Sequence, residues 1–410
     1  MKIGILSYRS HPFSGGQGVY VKHLSYALAL LGHEVSVLSG PPYPETGEEI
    51  DLIKIESLDL FSSSNRLSEF KLRFLLNKPN LIEWFGILTG GFPEPLTFGM
   101  RVEKYLKENT GKKFDILLDN QSLSYSLLRL QKQIPLAATI HHPISMDHKI
   151  EIESSKTWQE RLSSNRWHSF LKMQMHVARR LDNIIAVSQS SKSDIVREFN
   201  VDQDNIRVIL NGVDIETFKA SLNRKIVNGR LVTTASADVP LKGLKFLVEA
   251  LPEIISKKPN AHLMVIGKKP HRSDLIERVN ILGLQDKIHF NSNLSQEDIV
   301  NIYSSAEIAI IPSLYEGFGF GAAEAMSCSV PLISTTSGGL KEVIGDSAYI
   351  IKAGSVSEIK DAVLFLFSNQ KKKEELSFKG RNRIETNFTW EKAALKYVDI
   401  FNRIIRDFKN

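Results

Sequence analysis

The stretch Ser313-Leu-Tyr-Glu316-Gly-Phe-Gly-Phe-Gly-Ala-Ala-Glu324 gathers residues whose types and spacing suit one ligand. Glycines alternate at 317, 319 and 321, so several backbone amides can turn toward the same point. Two carboxylates, Glu316 and Glu324, flank them eight positions apart. Carboxylates accept from hydroxyls and an amide nest holds an anion, so the set fits a ligand carrying both hydroxyls and phosphate. The same spacing fits a capping Glu316 and a solvated Glu324, and spacing alone does not choose. A second glycine-rich turn, Ser14-Gly15-Gly16-Gln17-Gly18, precedes the first helical pattern. Position 21 is Val21, where a dinucleotide fingerprint needs glycine, and the second strand ends at Ser39-Gly40 without an acid. A nicotinamide site is thus unsupported on two counts. A tight turn without a ligand stays open.

These loops need a scaffold, and the hydrophobic pattern supplies one. Strand-like runs at 3–7, 34–39, 53–55, 114–118, 136–140, 184–188 and 208–210 alternate with helical stretches, notably Trp158 to Leu181. After a polar stretch from Asp214 to Arg230 the pattern restarts, with strand-like runs at 231–235, 262–266, 288–290, 308–311 and 332–334. Strands separated by helices predict parallel sheets, here two doubly wound ones in an α/β chain. The expected division is an N-terminal domain at 1–210, a linker at 211–230, a second domain at 231–388 and a final helix at 389–410. That helix carries one apolar stripe: Trp390, Ala394, Tyr397, Phe401, Ile404 and Phe408.

Composition removes other classes. With 410 residues, 42% hydrophobic and 24% charged, the chain has material for large cores and does not read as disordered. Its one cysteine, Cys328, reads as a small buried residue and cannot form an internal disulfide. The apolar run after Met1-Lys2 is too short for a signal peptide, and no stretch is apolar enough to span a bilayer. A net charge of +6 with interleaved signs gives no footing for nucleic acid. His141 and His142 have no metal-ligand spacing around them, and no metal site is expected. Lys371 to Lys373 reads as a solvated helix face.

The Glu316–Glu324 stretch resembles the E-x7-E signature of the retaining nucleotide-sugar glycosyltransferases of family 4, which have the GT-B fold of two Rossmann-like domains facing each other across a cleft. The likeness extends along the chain. Asn211-Gly-Val-Asp214 is similar to the family's N-G-V-D, and Val239-Pro-Leu-Lys242-Gly243 to V-P-E-K-G. Glu324-Ala-Met-Ser-Cys-Ser-Val-Pro331 resembles E-A-M-A-C-G-x-P, and Gly338-Gly339-Leu-Lys-Glu342-Val resembles G-G-x-x-E-V. Gly15-Gly16 matches the N-terminal glycine loop and Thr139-Ile-His141 the T-x-H of the acceptor-side domain.

By this resemblance Glu324 holds the donor's ribose hydroxyls. Glu316 contacts the donor sugar, helped by amides around Phe318 and Gly319. The amides of Phe320 and Gly321 face the diphosphate, Lys242 neutralises it, and Gly15-Gly16 close over it. Ser236 is counted among the donor-binding residues, His141 lines the sugar side, and the final helix crosses back to the N-terminal domain. Glu316, His141 and Lys242 are the expected catalytic set. Two positions depart from the family pattern. Ala237 stands where an arginine is expected on the diphosphate, with Lys268 or Lys269 as replacement cations, and His142 replaces the aspartate of the family's H-D.

The resemblance implies retaining, metal-independent transfer of a hexosyl-type unit from a nucleoside diphosphate sugar, with UDP favoured and no cofactor. The rivals are a nucleotide-sugar-binding subunit without turnover and a GT-B epimerase. The acceptor expectation comes from the segment between residues 53–55 and Phe114, too long for a plain βαβ crossover. From Phe61 to Lys113 it has nine Lys or Arg against five acids. It combines Phe74, Leu75, Leu76, Leu81, Ile82, Trp84, Phe85, Ile87, Leu88, Phe92, Phe98 and Met100 with Lys71, Arg73, Lys78, Arg101, Lys104 and Lys107. Apolar wedges bordered by cations suit an anionic bilayer, and an apolar helix pair packed on its own domain fits equally. The expectation is a lipid or lipid-linked acceptor in glycolipid or polysaccharide synthesis, and a cytoplasmic protein peripheral on that membrane face.

Overall fold

The computed structural model describes residues 1–10, 16–60, 76–111, 113–220, 224–235, 240–269 and 274–409. Gly15, Ser236 and Ala237 lie outside the described residues, as do Lys71, Arg73, Phe74 and Leu75. The chain divides into two compact units, Met1–Ile209 with Ala393–Asn410, and Leu210–Lys392.

In the first unit the strands are β1 (Lys2–Ser7), β2 (Glu34–Ser39), β3 (Asp51–Lys54), β4 (Ile116–Asn120), β5 (Leu136–Ile140), β6 (Ile184–Ala186) and β7 (Ile206–Val208). They pair in parallel in the order β3-β2-β1-β4-β5-β6-β7. The first three strands run outward from β1 in one direction, and β4 restarts on its other side. In the second unit they are β8 (Arg230–Thr234), β9 (His262–Ile266), β10 (Ile288–Asn291), β11 (Ile308–Ile311), β12 (Leu332–Ser334) and β13 (Tyr349–Ile350). The order β10-β9-β8-β11-β12-β13 reverses in the same way between β8 and β11. Both sheets are therefore doubly wound, as the sequence pattern predicts, and each has a switch point where ligands bind in such folds.

The elements follow from local chemistry. Strands β4, β5, β6, β11 and β12 are buried at every residue, as continuous apolar runs demand when helices cover both faces. The helix Gly16–Leu30 buries Val21, Leu24 and Leu28 on one side. The final helix, Trp390–Lys409, buries Trp390, Ala394, Tyr397, Phe401 and Ile404, while Phe408 is exposed. Its residues from Ala393 onward belong to the first unit.

Some boundaries differ from the sequence reading. Strand β4 lies two residues later than expected, because it ends on Asp119 and Asn120, polar residues buried by the fold. The stretch Trp158 to Leu181 is not one helix. It breaks at a 3-10 turn, His168–Phe170, between helices Trp158–Trp167 and Leu171–Ala178. The two-residue β13 was below what periodicity can detect. Cys328 is fully buried, as expected.

Candidate functional site

The two carboxylates of the Glu316–Glu324 stretch lie in the second unit, in the loop and helix that follow β11 at the switch point. The loop is held to a second loop that follows β8. Leu314 N–H donates to Leu241 O at 2.7 Å, and Gly243 sits against Pro312 with φ +67°. A side chain there would put its Cβ 2.1 Å from Pro312 O, so only glycine fits. This stitching brings Lys242 to Glu316. The Lys242 ammonium donates to both carboxylate oxygens, at 2.7 and 2.8 Å, and Ser313 Oγ donates to Oε1 at 2.9 Å. Glu316 is 12% exposed and Lys242 33% exposed, so the pair is shielded but reachable.

A third loop supports Glu316 from behind. Gly339 N–H donates to Glu316 O at 2.8 Å, and a Cβ on Gly338, at φ +62°, would lie 2.1 Å from that same oxygen. The glycine pair noted in the sequence thus lets backbone pack on backbone beneath the carboxylate. Gly319, at φ +106°, turns the chain into the helix Phe320–Ser327. Its carbonyl takes the amides of Ala322 and Ala323 at 3.1 Å, so the N-terminus presents those of Phe320 and Gly321. Such a terminus favours an anion. Phe318 is buried, its ring edge-on to Phe320 at 5.1 Å, and Phe320 in turn lies 6.4 Å from the Trp390 ring.

Glu324 sits about one turn into that helix. Burial pushes its carboxyl up to about 8, with the Tyr303 hydroxyl and Lys242 opposing. Tyr303, fully buried on the helix Gln296–Ser305, also bonds Thr234 Oγ1 and donates to Gly321 O at 3.2 Å. Sequence reasoning missed Tyr303, because nothing separates it from an ordinary core tyrosine. Lys268 and Lys269 follow β9 and are exposed. Among the described residues these loops offer one cation, Lys242, amides for an anion, and two carboxylates for hydroxyls.

The first unit places His141 at the end of β5. Its Nε2 lies 2.7 Å from Asn120 Oδ1, while Asn120 Nδ2 donates to Ser7 Oγ at 3.2 Å. That assignment puts the imidazole proton on Nε2 and leaves Nδ1 as an acceptor. Burial, with His142 adding, lowers its pKa to about 3, so the ring is neutral. Tyr20 packs edge-on at 4.7 Å. Gln121 clamps the segment: its Oε1 accepts from His141 N–H and its Nε2 donates to His142 O, both at 2.7 Å. Gln121 itself is left-handed, at φ +54°, and Leu123 follows at +47°. Asp119 fixes this turn by accepting from Ser122 Oγ and from Leu123 N–H. His142, at the departure from the family's H-D, pairs with Asp147 at 2.7 Å. Gly16 opens the helix Gly16–Leu30 and is exposed. Asn120 and Gln121 carried no recognisable sequence signal, and Asp147 stood out only for its closeness in sequence to His148, with no nucleophile identifiable beside them.

Among its described residues the long connection forms two helices, Lys78–Leu88 and Glu94–Glu108. Ile87 and Phe98 are buried, and Phe92 stacks on Trp167 at 5.0 Å. Arg101, expected on the outer cationic border, instead pairs inward with the buried Glu83, because that carboxylate would otherwise be uncompensated. Leu76 and Phe85 are exposed, as are Lys78, Lys104 and Lys107. No helix among the described residues is long and apolar enough to cross a membrane.

Comparison with known proteins gives consistent results. Residues 14–217 match the profile Glycosyltransferase Family 4, and residues 215–383 match Glycosyl transferases group 1. The chain is 37% identical to an MMP alpha-(1->4)-mannosyltransferase of Mycolicibacterium hassiacum, over 99% of this chain and 98% of that one. Among solved structures it resembles sucrose-phosphate synthase from Thermosynechococcus elongatus, with a TM-score of 0.75 at 20% identity, covering 99% of both chains. It also resembles Anabaena HepE in complex with UDP and glucose, with a TM-score of 0.70 at 17% identity, covering 98% of this chain and 99% of that one.

Proposed function

The chain belongs to family 4 of the glycosyltransferases, with the GT-B fold, and within that family we propose that it transfers a hexosyl unit from a nucleoside diphosphate sugar to an acceptor hydroxyl with retention. The observation that carries this reading is the Lys242–Glu316 pair beside the N-terminus of Phe320–Ser327, with Glu324 about one turn into that helix. Lys242 and the Phe320 and Gly321 amides take the diphosphate, Glu324 the ribose hydroxyls, and Glu316 with the amides near Phe318 and Gly319 the donor sugar. The neutral His141 accepts a sugar-side hydroxyl at Nδ1. The expected catalytic set is Glu316, His141 and Lys242. Gly15, Gly16 and Ser236 are assigned to the donor by the family pattern alone.

In the reaction the anomeric C–O bond breaks and its electron pair stays on the diphosphate. The acceptor oxygen bonds to the anomeric carbon on the same face, and its proton passes to the departing phosphate. Cation and amides stabilise the charge that develops there. Lys242 and the helix terminus supply that stabilisation without a metal ion, so transfer survives chelation. Loss of activity in EDTA that Mg²⁺ or Mn²⁺ restores would overturn this part.

The mannosyltransferase relative, alike over the full length, makes α-mannosyl the first sugar to test, whereas the sequence expectation favours UDP as the base. Incubation with a panel of radiolabelled UDP- and GDP-sugars, GDP-mannose included, reads both. Slow release of nucleotide plus free sugar supports a transferase lacking its acceptor. Binding without turnover supports the non-catalytic subunit, and a changed sugar on the nucleotide supports the epimerase.

For the acceptor we propose a lipid or lipid-linked glycan at an anionic cytoplasmic membrane face. The support is the helix Lys78–Leu88, which buries its carboxylate, Glu83, and leaves Phe85 60% exposed, and Leu76, just before that helix, 92% exposed. Co-sedimentation with anionic vesicles at low and high salt tests it. No binding at low salt makes a soluble acceptor the better reading.

A further inference from the structure

The residue proposed to hold the diphosphate and the one proposed to hold the sugar are bonded to each other. Lys242 donates two of its three ammonium N–H groups to Glu316, at 2.7 and 2.8 Å. Glu316 is further pinned by Ser313 Oγ at 2.9 Å and, through its carbonyl, by Gly339 N–H at 2.8 Å. The carboxylate is therefore fixed in place, while Lys242, on a flexible stem and more exposed, has one N–H to spare. An anion that approaches Lys242 meets a cation whose charge is already largely compensated, with a fixed negative group beside it.

We propose that Glu316 discriminates against bare nucleoside diphosphate, so that the site holds the intact donor and expels the product. This rests on the assignment of Lys242 to the diphosphate made above. An intact donor brings sugar hydroxyls that donate to Glu316 and offset its repulsion of the phosphate. After transfer those hydroxyls leave with the sugar. The diphosphate keeps the electron pair of the broken C–O bond, and at neutral pH the acceptor's proton passes on to solvent. The product thus carries more charge than the donor and faces Glu316 without the compensating hydrogen bonds. Glu316 then weakens product binding at the moment release is needed.

Equilibrium binding of UDP, GDP, UDP-glucose and GDP-mannose to the full chain tests this, using the parent, Glu316→Gln, Glu316→Ala, Lys242→Met and the double variant Glu316→Gln/Lys242→Met. Removing one like charge beside a diphosphate held by Lys242 is expected to tighten the bare diphosphate about five- to tenfold. The sugar nucleotide should bind no tighter than to the parent, so its advantage over the diphosphate shrinks. The double variant should still bind the bare diphosphate tighter than Lys242→Met does, because Glu316 repels the phosphate directly, and no difference between the two would overturn the inference. Glu316→Ala gives the same sign if the Gln variant does not fold. A parent that binds nucleotide, with Glu316 variants no tighter for the bare diphosphate, overturns this inference alone. A parent that binds none of the four overturns it together with the functional reading.

Discussion

The two sheets share a topology, yet the loops at their switch points are chemically opposite. In the second unit the turns are made by glycines at positive φ, at 243, 319 and 338, and the side chains are ionic. In the first unit the left-handed positions after β4 are Gln121 and Leu123. His141 itself, a neutral imidazole, is held by the Asn120 and Gln121 amides and the Tyr20 ring, with carboxylates only one residue removed, at Asp119 and at the His142–Asp147 pair. Glycine lets backbone amides and carbonyls approach a ligand or one another, which suits an anion. A left-handed glutamine costs about 1–3 kcal/mol in strain and is held by its surroundings, here Gln174, which donates to Gln121 O at 3.1 Å. In return its side chain fixes two successive backbone groups, which suits the placing of neutral hydroxyls. One scaffold has been finished for charge and the other for hydrogen bonding.

The comparison breaks most sharply at Gly338. An alanine there would need a left-handed backbone and a Cβ 2.1 Å from Glu316 O, a clash that only movement of the Glu316 loop relieves. We expect Gly338→Ala to cost about 2–4 kcal/mol of stability. Nucleotide affinity should fall with it, as urea unfolding and equilibrium binding would read. Unchanged binding would mean that the Glu316 loop is not part of the site.

Glu324 is the next largest effect. Truncation to alanine removes one hydrogen bond to a charged acceptor, worth about 1.5–3 kcal/mol of nucleotide binding, without unfolding the chain. Lys242→Ala should cost more for a diphosphate nucleotide than for the nucleoside. Parent-like binding by both variants would mean that the donor site lies elsewhere.

How far these sites could be read beforehand follows the same contrast. Glycine spacing and paired acids mark the second unit's loop in one dimension, because its ligand groups come from backbone and from one short stretch. Its long-range partner, Lys242, was visible only through the family resemblance, and Tyr303 not at all. The first unit's site joins Tyr20, Asn120, Gln121, His141 and Asp147 from separate strands and helices, and only Thr139-Ile-His141 stood out. The strands were legible where they are uniformly apolar. They slipped by up to two residues at β3, β4 and β7, and at β4 the reason is that Asp119 and Asn120 are buried by tertiary structure against their own propensity.

The pH dependence sharpens the contrast. Glu324 rises from an ordinary 4.5 to about 8, so the folded unit binds more protons than the unfolded chain between those values. Its contribution to stability therefore falls as pH rises through that window. Nucleotide hydroxyls that donate to Glu324 favour the carboxylate and draw the pKa down again. Binding at pH 7 should then release protons and tighten as pH rises toward 8. Calorimetry in buffers of different ionisation enthalpy reads the proton count. His141, neutral above about 3, should add no step to the profile between pH 5 and 9.

The smallest effect belongs to Tyr397, on the terminal helix. Its hydroxyl lies 2.7 Å from Tyr20 OH and 3.1 Å from Thr139 Oγ1, and Tyr20 OH also lies 2.9 Å from Thr139 Oγ1. All three residues are buried. Tyr397→Phe leaves the ring contacts with Tyr20 and Phe401 in place and removes one corner of this triangle. Tyr20 and Thr139 still have each other, so no hydroxyl is orphaned and the cost should be about 0.5–1.5 kcal/mol of stability. Tyr20 packs on His141, which makes the triangle a support for that ring rather than a part of the chemistry. Turnover should change by less than about threefold, with nucleotide affinity unaltered, since one neutral hydrogen bond is lost and no charge moves. A large loss of turnover with parent-like stability would instead mean that the terminal helix sets the position of His141, and that the neutral site is as finely tuned as the charged one.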